Sequence, residues 1–182
     1  MIKPLRLLLL LVPLAGLALS AFANPAEALT IEFEASDLAD SGSADLWRYD
    51  YTLSDHAFTT GQGFNIFFAV GNYANLIAEP LSSPASLDWN APLAIQPDAG
   101  LPDPGYYDGQ AAVDDPSLDL YFRVDFEWLG GGAPGPQSFE LYDASFQTIE
   151  SGTTMPIPEP STALLVAAGL AGLSARARRP RA

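Results

Sequence analysis

The sequence predicts an all-β fold: an antiparallel Greek-key sandwich, immunoglobulin-like or jelly-roll in type, flanked by an N-terminal signal peptide and a C-terminal transmembrane helix. Three observations predict it. Apolar and polar residues alternate along several stretches in the middle of the chain, as in strands that bury one face. A comparable helical period is confined to the two terminal segments. Proline and glycine, 16 and 15 residues in a chain of 182, separate the stretches with turns.

The alternating stretches give the predicted strands in chain order. The first covers residues 30–35, and the next three have apolar faces at Trp47, Tyr49, Tyr51 and Leu53, at Phe64, Ile66, Phe68 and Val70, and at Leu118, Leu120, Phe122, Val124, Phe126 and Trp128. Residues 139–142 and 146–150 have the composition of shorter strands. The loop-rich segment 80–116 contains two more candidates, around residues 87–89 and 106–113. About seven or eight strands suit a sandwich, and residues 130–136, Gly-Gly-Gly-Ala-Pro-Gly-Pro, predict a loop.

Composition excludes several classes of site. The chain has no cysteine and a single histidine, His56, so a disulfide scaffold, a thiol nucleophile and a multi-histidine metal centre are ruled out. A Ser-His-Asp triad would need His56 as its base, and the Gly-x-Ser-x-Gly elbow is missing, so an ordinary surface histidine is the preferred interpretation. No glycine-rich phosphate loop occurs either. The sequence therefore favours a protein that is not an enzyme and has no cofactor.

Charge is unevenly distributed along the chain. The formal net charge is -14. All the acidic residues except Glu27 and Glu159 lie between residues 29 and 158. The same segment contains only two basic residues other than histidine, Arg48 and Arg123. Such a surface repels phosphate backbones, so we predict no nucleic-acid partner for this part of the chain.

The N-terminal segment has the layout of a secretory signal peptide. A basic start precedes an apolar run over residues 7–19, and small residues follow at Ala21 and Ala23. We predict export through the Sec translocon and cleavage by signal peptidase after Ala23, which makes residues 1–23 the signal peptide, with Ala28 as the alternative end. A retained membrane anchor is the other interpretation, and the shortness of the apolar run argues against it.

The C-terminal segment has three consecutive parts. A linker over residues 154–160 ends in Pro158-Glu159-Pro160, residues 161–175 are mostly apolar, and residues 176–182 contain Arg176, Arg178, Arg179 and Arg181. As a helix, the apolar part is short for a bilayer, although snorkelling of the first arginine brings it closer to the required length. The arginines are expected to stay in the cytoplasm. An ordinary tail anchor behind a proline-rich linker would have similar parts.

This order of parts, behind a signal peptide, resembles the PEP-CTERM sorting signal of exported proteins of Gram-negative bacteria, many of which make extracellular polysaccharide. The resemblance implies that a membrane-embedded exosortase recognises Pro158, Glu159 and Pro160 and processes the chain near them. It also implies that residues 161–175 hold the precursor transiently in the membrane while the arginines stop transfer. A weaker resemblance to the exported domains of such proteins rests on Tyr49-Asp50-Tyr51, residues 139–143 and Ser151-Gly152-Thr153, and it names no activity.

Two ligands suit the predicted sandwich, residues 29–153. Calcium is suggested by aspartates in and just after the loop-rich segment, because carboxylates are hard oxygen ligands. These aspartates are Asp98, Asp103, Asp108, Asp114, Asp115 and Asp119. Aspartate is also a common turn residue. Carbohydrate is suggested by Tyr106 and Tyr107, expected in a loop, and by Trp89, because exposed aromatic rings can stack on sugars.

The sequence therefore predicts an exported, non-enzymatic protein of the cell surface or extracellular matrix. Its expected role is structural or adhesive, in association with exopolysaccharide, after an inner-membrane-anchored precursor stage. A carbohydrate- or calcium-binding module is the alternative. An envelope hydrolase is the third hypothesis, because two carboxylates at a suitable spacing hydrolyse glycosides, although no particular pair can be selected from the sequence.

Overall fold

The structure, a computed structural model, describes residues 28–81, 84–100 and 103–157. The predicted signal peptide with Ala21 and Ala23 lies outside the described residues, as does the tail from Pro158 to the arginine cluster. Ten strands and one 3₁₀ helix, Pro84–Asp88, form in the described part. The strands are β1 Thr30–Asp37, β2 Leu46–Ser54, β3 Gly63–Phe68, β4 Tyr73–Ala78, β5 Leu93–Ile95, β6 Gly105–Gln110, β7 Phe122–Trp128, β8 Ser138–Tyr142, β9 Thr148–Thr153 and β10 Met155–Pro156.

The strands form two five-stranded sheets that pack as a sandwich. Sheet 1 has the order β10-β1-β2-β7-β4, and sheet 2 has the order β5-β6-β3-β8-β9. All pairings between these strands are antiparallel except that of β1 with β10. The predicted all-β sandwich is therefore confirmed.

The path of the chain crosses repeatedly between the two sheets. From β2 to β8 the chain changes sheet at each step, apart from the β5–β6 pair, which stays in sheet 2. At the two ends of the sandwich sequence the chain stays in one sheet, because β1 pairs with β2 in sheet 1 and β8 pairs with β9 in sheet 2.

Aromatic side chains fill the space between the sheets. The strands direct alternate residues inward, and Tyr49, Tyr51, Phe64 and Phe122 are completely buried. Tyr49 stacks on Phe126 with 4.8 Å between ring centroids, and Phe64 meets Phe122 edge to face at 5.0 Å. Each such ring removes a large apolar area from water and adds a preferred geometry. The core therefore accounts for the period-two pattern of β2, β3 and β7.

Two predicted strands start later in the chain than expected. The strand expected to start at Leu118 starts at Phe122, because Leu118 and Leu120 pack against the core from an irregular segment. The strand expected at residues 146–150 is β9, which starts at Thr148. Phe146 lies in the preceding turn with φ of 60°.

The strand predicted around residues 87–89 is wrong. Residues 84–88 form the 3₁₀ helix, which leaves Leu87 exposed and ends where Trp89 enters the core. The predicted start of the linker, at residue 154, is also wrong. Thr154 is buried and β10 follows it, so the sandwich continues to the end of the described chain.

Two ion pairs join β2 to β7 on the outer face of sheet 1. Arg48 donates from Nε and a terminal nitrogen to both carboxylate oxygens of Asp125, each at 2.6 Å. Arg123 donates to Asp50 at 2.5 Å. The register places Arg48 opposite Asp125 and Asp50 opposite Arg123, so each charge has an opposite charge across the strands and another two residues along its own strand.

We expect Arg48→Met to lower the free energy of unfolding by about 1 kcal/mol, because a two-pronged, half-buried pair is stronger than an exposed one. Urea denaturation of the purified protein measures the change. Raising the ionic strength should reduce the difference in free energy of unfolding between the variant and the parent, because salt screens the ion pair. Equal stability at low salt would show that the pair contributes nothing.

Candidate functional site

The last described residues lie at the edge of sheet 1 that β10 forms, which we call the C-terminal edge. β10 lies parallel to β1, with Met155 opposite Glu32 and Pro156 opposite Phe33. The backbone N–H of Ile157 donates to the carbonyl of Phe33 at 2.8 Å. Proline suits this place because it lacks an N–H, which an edge strand does not need on its open side. The sandwich therefore holds the backbone up to Ile157.

The parallel pairing fixes where the two terminal segments attach. The chain enters the sandwich at Thr30, at the start of β1, and β10 runs in the same direction as β1 beside Phe33. The chain therefore leaves toward the end of β1, away from the point of entry. Pro158, the first residue of the predicted sorting motif, is the next residue after Ile157.

A buried glutamine connects this edge to both sheets. Gln137, which immediately precedes β8 and is 4% exposed, donates from its side-chain amide to the Tyr49 hydroxyl at 2.6 Å, and it accepts from the Tyr51 hydroxyl at 2.9 Å. Its backbone N–H donates to the Thr154 hydroxyl at 2.9 Å, and the Thr154 N–H donates to its carbonyl at 2.8 Å. We call Gln137, Tyr49, Tyr51, Tyr73 and Thr154 the Gln137 cluster.

The Gln137 cluster provides hydrogen-bond partners for polar groups that would otherwise be buried without one. Tyr73 lies 3.3 Å from the Gln137 amide and from the Tyr49 hydroxyl, and Tyr49 also donates to the Gly135 carbonyl at 2.8 Å. Burial raises the pKa of Tyr49 and of Tyr51 well above the ordinary value, so both phenols stay neutral. A buried hydroxyl without a partner would cost about 1–3 kcal/mol, so the cluster contributes to stability as a unit.

A groove of about 600 Å³ opens at the end of the sandwich where β3 and β7 end and β4, β6 and β8 begin. We call it the end groove. It is lined by Phe67, Ala69, Asn72, Tyr73, Pro104, Trp128, Gly135, Pro136, Gln137, Ser138 and Glu140. The Trp128 indole N–H donates to the Gly132 carbonyl at 2.7 Å, and the Tyr73 ring meets the indole at 4.9 Å. The indole is therefore fixed in place at the groove.

The loop predicted at residues 130–136 separates the end groove from a second, smaller one. The second groove, about 390 Å³, is lined by residues of β1, by Trp47, by residues 133–136 and by Pro156 and Ile157. Gly135 and Pro136 line both grooves. The point at which the tail leaves the sandwich and the end groove thus lie on two sides of one loop.

The aspartates predicted to bind calcium do not form a common site. Asp98 and Asp103 pair with each other through their backbones, Asp108 lies in β6, and Asp114 accepts hydrogen bonds from the N–H and hydroxyl of Thr60. Those two hydrogen bonds lower the pKa of Asp114. Asp115 occupies a turn with φ of 50°. Each of these aspartates has a turn or strand role of its own.

Other acidic groups come together within the described residues. The carboxylates of Asp37, Asp40 and Asp45, on the connection from β1 to β2, have oxygen atoms within 4.8 Å of one another. Asp45 also accepts from the indole N–H of Trp47 at 2.8 Å. Clusters of exposed acidic groups are common on a surface as acidic as this one, and their geometry alone does not make a metal site.

The predicted sugar-stacking residues are mostly in the core. Tyr107 is completely buried in β6, and Trp89 is 4% exposed with its ring against Phe122 at 4.8 Å. Neither ring has a free face, so the prediction is wrong for both. Tyr106 lies in β6 as well, not in a loop, and its side chain is half-buried on the outer face of sheet 2.

The comparisons with known proteins bear on the tail. Residues 156–179 match the family model described as the PEP-CTERM protein-sorting motif. The chain carries a PEP-CTERM sorting motif. This motif marks an exported, membrane-anchored precursor that an exosortase processes for display at the cell surface. No curated protein and no solved structure matches the chain.

The PEP-CTERM match begins inside the described sandwich. Its first two residues, Pro156 and Ile157, are those that pair with β1. In the part of the chain that the structure describes, no helix is long and apolar enough to cross a membrane. The predicted helix over residues 161–175 and the arginines at 176, 178, 179 and 181 lie beyond that part.

We expect Gln137→Leu to lower the free energy of unfolding by about 2–4 kcal/mol, because it removes the partner of several buried hydroxyls at once. Limited proteolysis should also cut the chain near residues 154–157 faster than in the parent, since the Thr154 hydroxyl loses its 3.3 Å hydrogen bond to the Gln137 side-chain oxygen. The matched control is Gln147→Leu, at an exposed turn. A Gln137→Leu protein with parental stability and parental digestion pattern would contradict the role of the cluster.

A second prediction concerns Asp108, whose carboxylate accepts from the Tyr142 hydroxyl at 2.6 Å. Partial burial raises the pKa of Asp108, although the hydrogen bond from Tyr142 opposes the rise. The native state therefore holds this proton more tightly than the unfolded state, and the contribution of Asp108 to stability falls as pH rises through the raised pKa. Asp108→Asn removes that contribution.

The expected result is that Asp108→Asn gains stability relative to the parent as the pH rises from the ordinary aspartate pKa through the raised pKa of Asp108. Urea denaturation at a series of pH values measures it. Asp119→Asn, at an exposed position, is the control. Parallel pH profiles for Asp108→Asn and the parent would show that Asp108 titrates as it does in the unfolded chain.

Proposed function

We propose that the mature protein is a structural or adhesive component of the cell surface or of an exopolysaccharide matrix, and that it is displayed as an intact sandwich after an exosortase has removed its tail. The observation that carries this proposal is the position of the motif. The last backbone hydrogen bond to the sandwich in the described chain is made by Ile157, and Pro158 follows directly. Processing at the motif would leave every described strand in place.

The chemistry of the motif supports this division of the chain. A protease binds its substrate as an extended strand, so it needs backbone that is not already paired in a sheet. Pro158 and Pro160 fix their own φ angles and lack backbone N–H groups, so they favour neither a helix nor a central strand. The restriction that each proline places on its neighbour also disfavours a helix through Glu159. The tripeptide is thus suited to capture by an enzyme immediately beside a stable domain.

The described surface supports a structural role more than a catalytic one. Among the residues that line the end groove, Glu140 is the single carboxylate, whereas hydrolysis of a glycoside uses a pair. The acidic surface favours solubility and keeps like molecules apart. We infer a non-enzymatic protein without a cofactor. Export by the Sec translocon, with signal peptidase acting after Ala23, belongs to the same proposal.

The test is to replace the motif prolines, Pro158→Ala with Pro160→Ala, in the native host or in a host that carries an exosortase. We expect the parent to lose its tail and to reach the cell surface or medium, and the variant to keep residues 161–182 and remain with the membrane. Intact-mass measurement and cell fractionation provide the readout. Pro92→Ala with Pro97→Ala, in loops of the sandwich, is the control pair.

The same parent protein should keep its tail in an otherwise identical strain that lacks the exosortase. Processing of the motif variant to the same mass as the parent would overturn the assignment of Pro158-Glu159-Pro160. A parent that retains residues 163–182 in the exosortase strain would show that the segment is a plain tail anchor.

A further inference from the structure

We propose that the end groove binds an uncharged polysaccharide through stacking on Trp128 and hydrogen bonds from the polar groups around it. This deepens the adhesive role proposed above by naming a site and a ligand class. The inference rests on the contents of the groove, its charge and its rigidity.

Apolar rings supply the first requirement of a sugar site. Trp128, Tyr73 and Phe67 line the groove together with two prolines. The C–H faces of a pyranose pack on aromatic rings, which contribute area at a small entropic cost when they are already fixed. Trp128 is fixed by its hydrogen bond to Gly132 and by Gly130, where an added Cβ would overlap the indole ring.

Polar groups supply the second requirement. The side chains of Asn72, Ser138 and Glu140 line the same groove as the rings, and Asn72 and Ser138 are exposed there. Together they offer amide, hydroxyl and carboxylate groups, which can donate to and accept from sugar hydroxyls. A volume of about 600 Å³ falls within the range of small-molecule sites, about 300–1,000 Å³.

Charge selects among polysaccharides. The lining contains Glu140 and no basic residue. The two arginines of the described chain are paired with Asp125 and Asp50 on the outer face of sheet 1. A uronate or sulfated chain would meet a carboxylate without a compensating cation inside a strongly acidic protein. The groove therefore suits a neutral glycan.

The place of the groove is compatible with a surface-anchored or processed protein. The loop over residues 130–136 separates it from the C-terminal edge, where the chain leaves the sandwich at Ile157. Occupation of the groove by a glycan does not require β10 to move. Binding is therefore expected both before and after the tail has been removed.

Affinity electrophoresis in gels that contain a polysaccharide tests the proposal. The probes are the neutral polymers galactomannan, dextran and mixed-linkage β-glucan, and the anionic polymer alginate. The full chain in mild detergent and the processed protein are both run, so that a failure of sorting cannot be mistaken for a failure of binding. We expect at least one neutral polymer to retard both forms and alginate to retard neither.

Variants tie the retardation to the groove. With the polymer that binds, Trp128→Ala should weaken apparent affinity about tenfold or more, and Asn72→Ala about threefold, because stacking and a hydrogen bond are lost respectively. The matched control is Tyr121→Ala, an exposed aromatic residue outside the groove. It should bind like the parent.

Circular dichroism establishes that each variant is folded. If Trp128→Ala does not fold, the comparison of Asn72→Ala with Tyr121→Ala decides. The proposal is overturned if no neutral polymer retards the parent, if alginate retards it as strongly, or if folded groove variants bind as the parent does.

Discussion

A buried amide must find hydrogen-bond partners, and in this protein that requirement joins the two sheets to the C-terminal strand. Gln137 accepts from Tyr51 and donates to Tyr49, both on β2 of sheet 1, while the chain continues from it into β8 of sheet 2. Its backbone pairs with Thr154, and β10 begins at the next residue. The same cluster that fills the polar part of an aromatic core thus also holds the residue that precedes β10.

The position of β10 has a consequence for sorting. Surface display needs a domain that remains folded after the tail is cut. The two residues of β10 and the hydrogen bond of Ile157 hold the described chain to β1 as far as the residue before Pro158. Short edge strands that contain proline also discourage pairing between molecules. A similar protection occurs at β4, where the Gln96 side chain binds both the N–H and the carbonyl of Leu76.

Much of the sandwich was predictable because β2, β3 and β7 bury one face. A strand that buries one face has apolar residues at every second position of its sequence. The strands that were missed are β4, β5 and β10, and their patterns are short or broken. Trp89 and Tyr107 show a different limit: a sequence identifies an aromatic residue in a proline- and aspartate-rich segment, but packing against Phe122 and Phe64 decides that the rings are buried. Trp128 belonged to a correctly predicted apolar face. Its place at the end of β7, where the sandwich opens, is a property of the assembled fold. The role of Gln137 depends on partners more than 80 residues away, and no local pattern signals it.

The most direct test of this account is hydrogen exchange, measured by NMR, at the backbone amides of Thr154 and Ile157 in the full chain. The amide of Thr154 donates to Gln137 and that of Ile157 donates to Phe33. If the sandwich extends to the start of the motif, both amides should exchange on the order of a hundredfold more slowly than in an unstructured peptide. Exchange of the Ile157 amide at the rate of an unstructured peptide would contradict the claim that the sandwich holds the backbone up to the residue before Pro158.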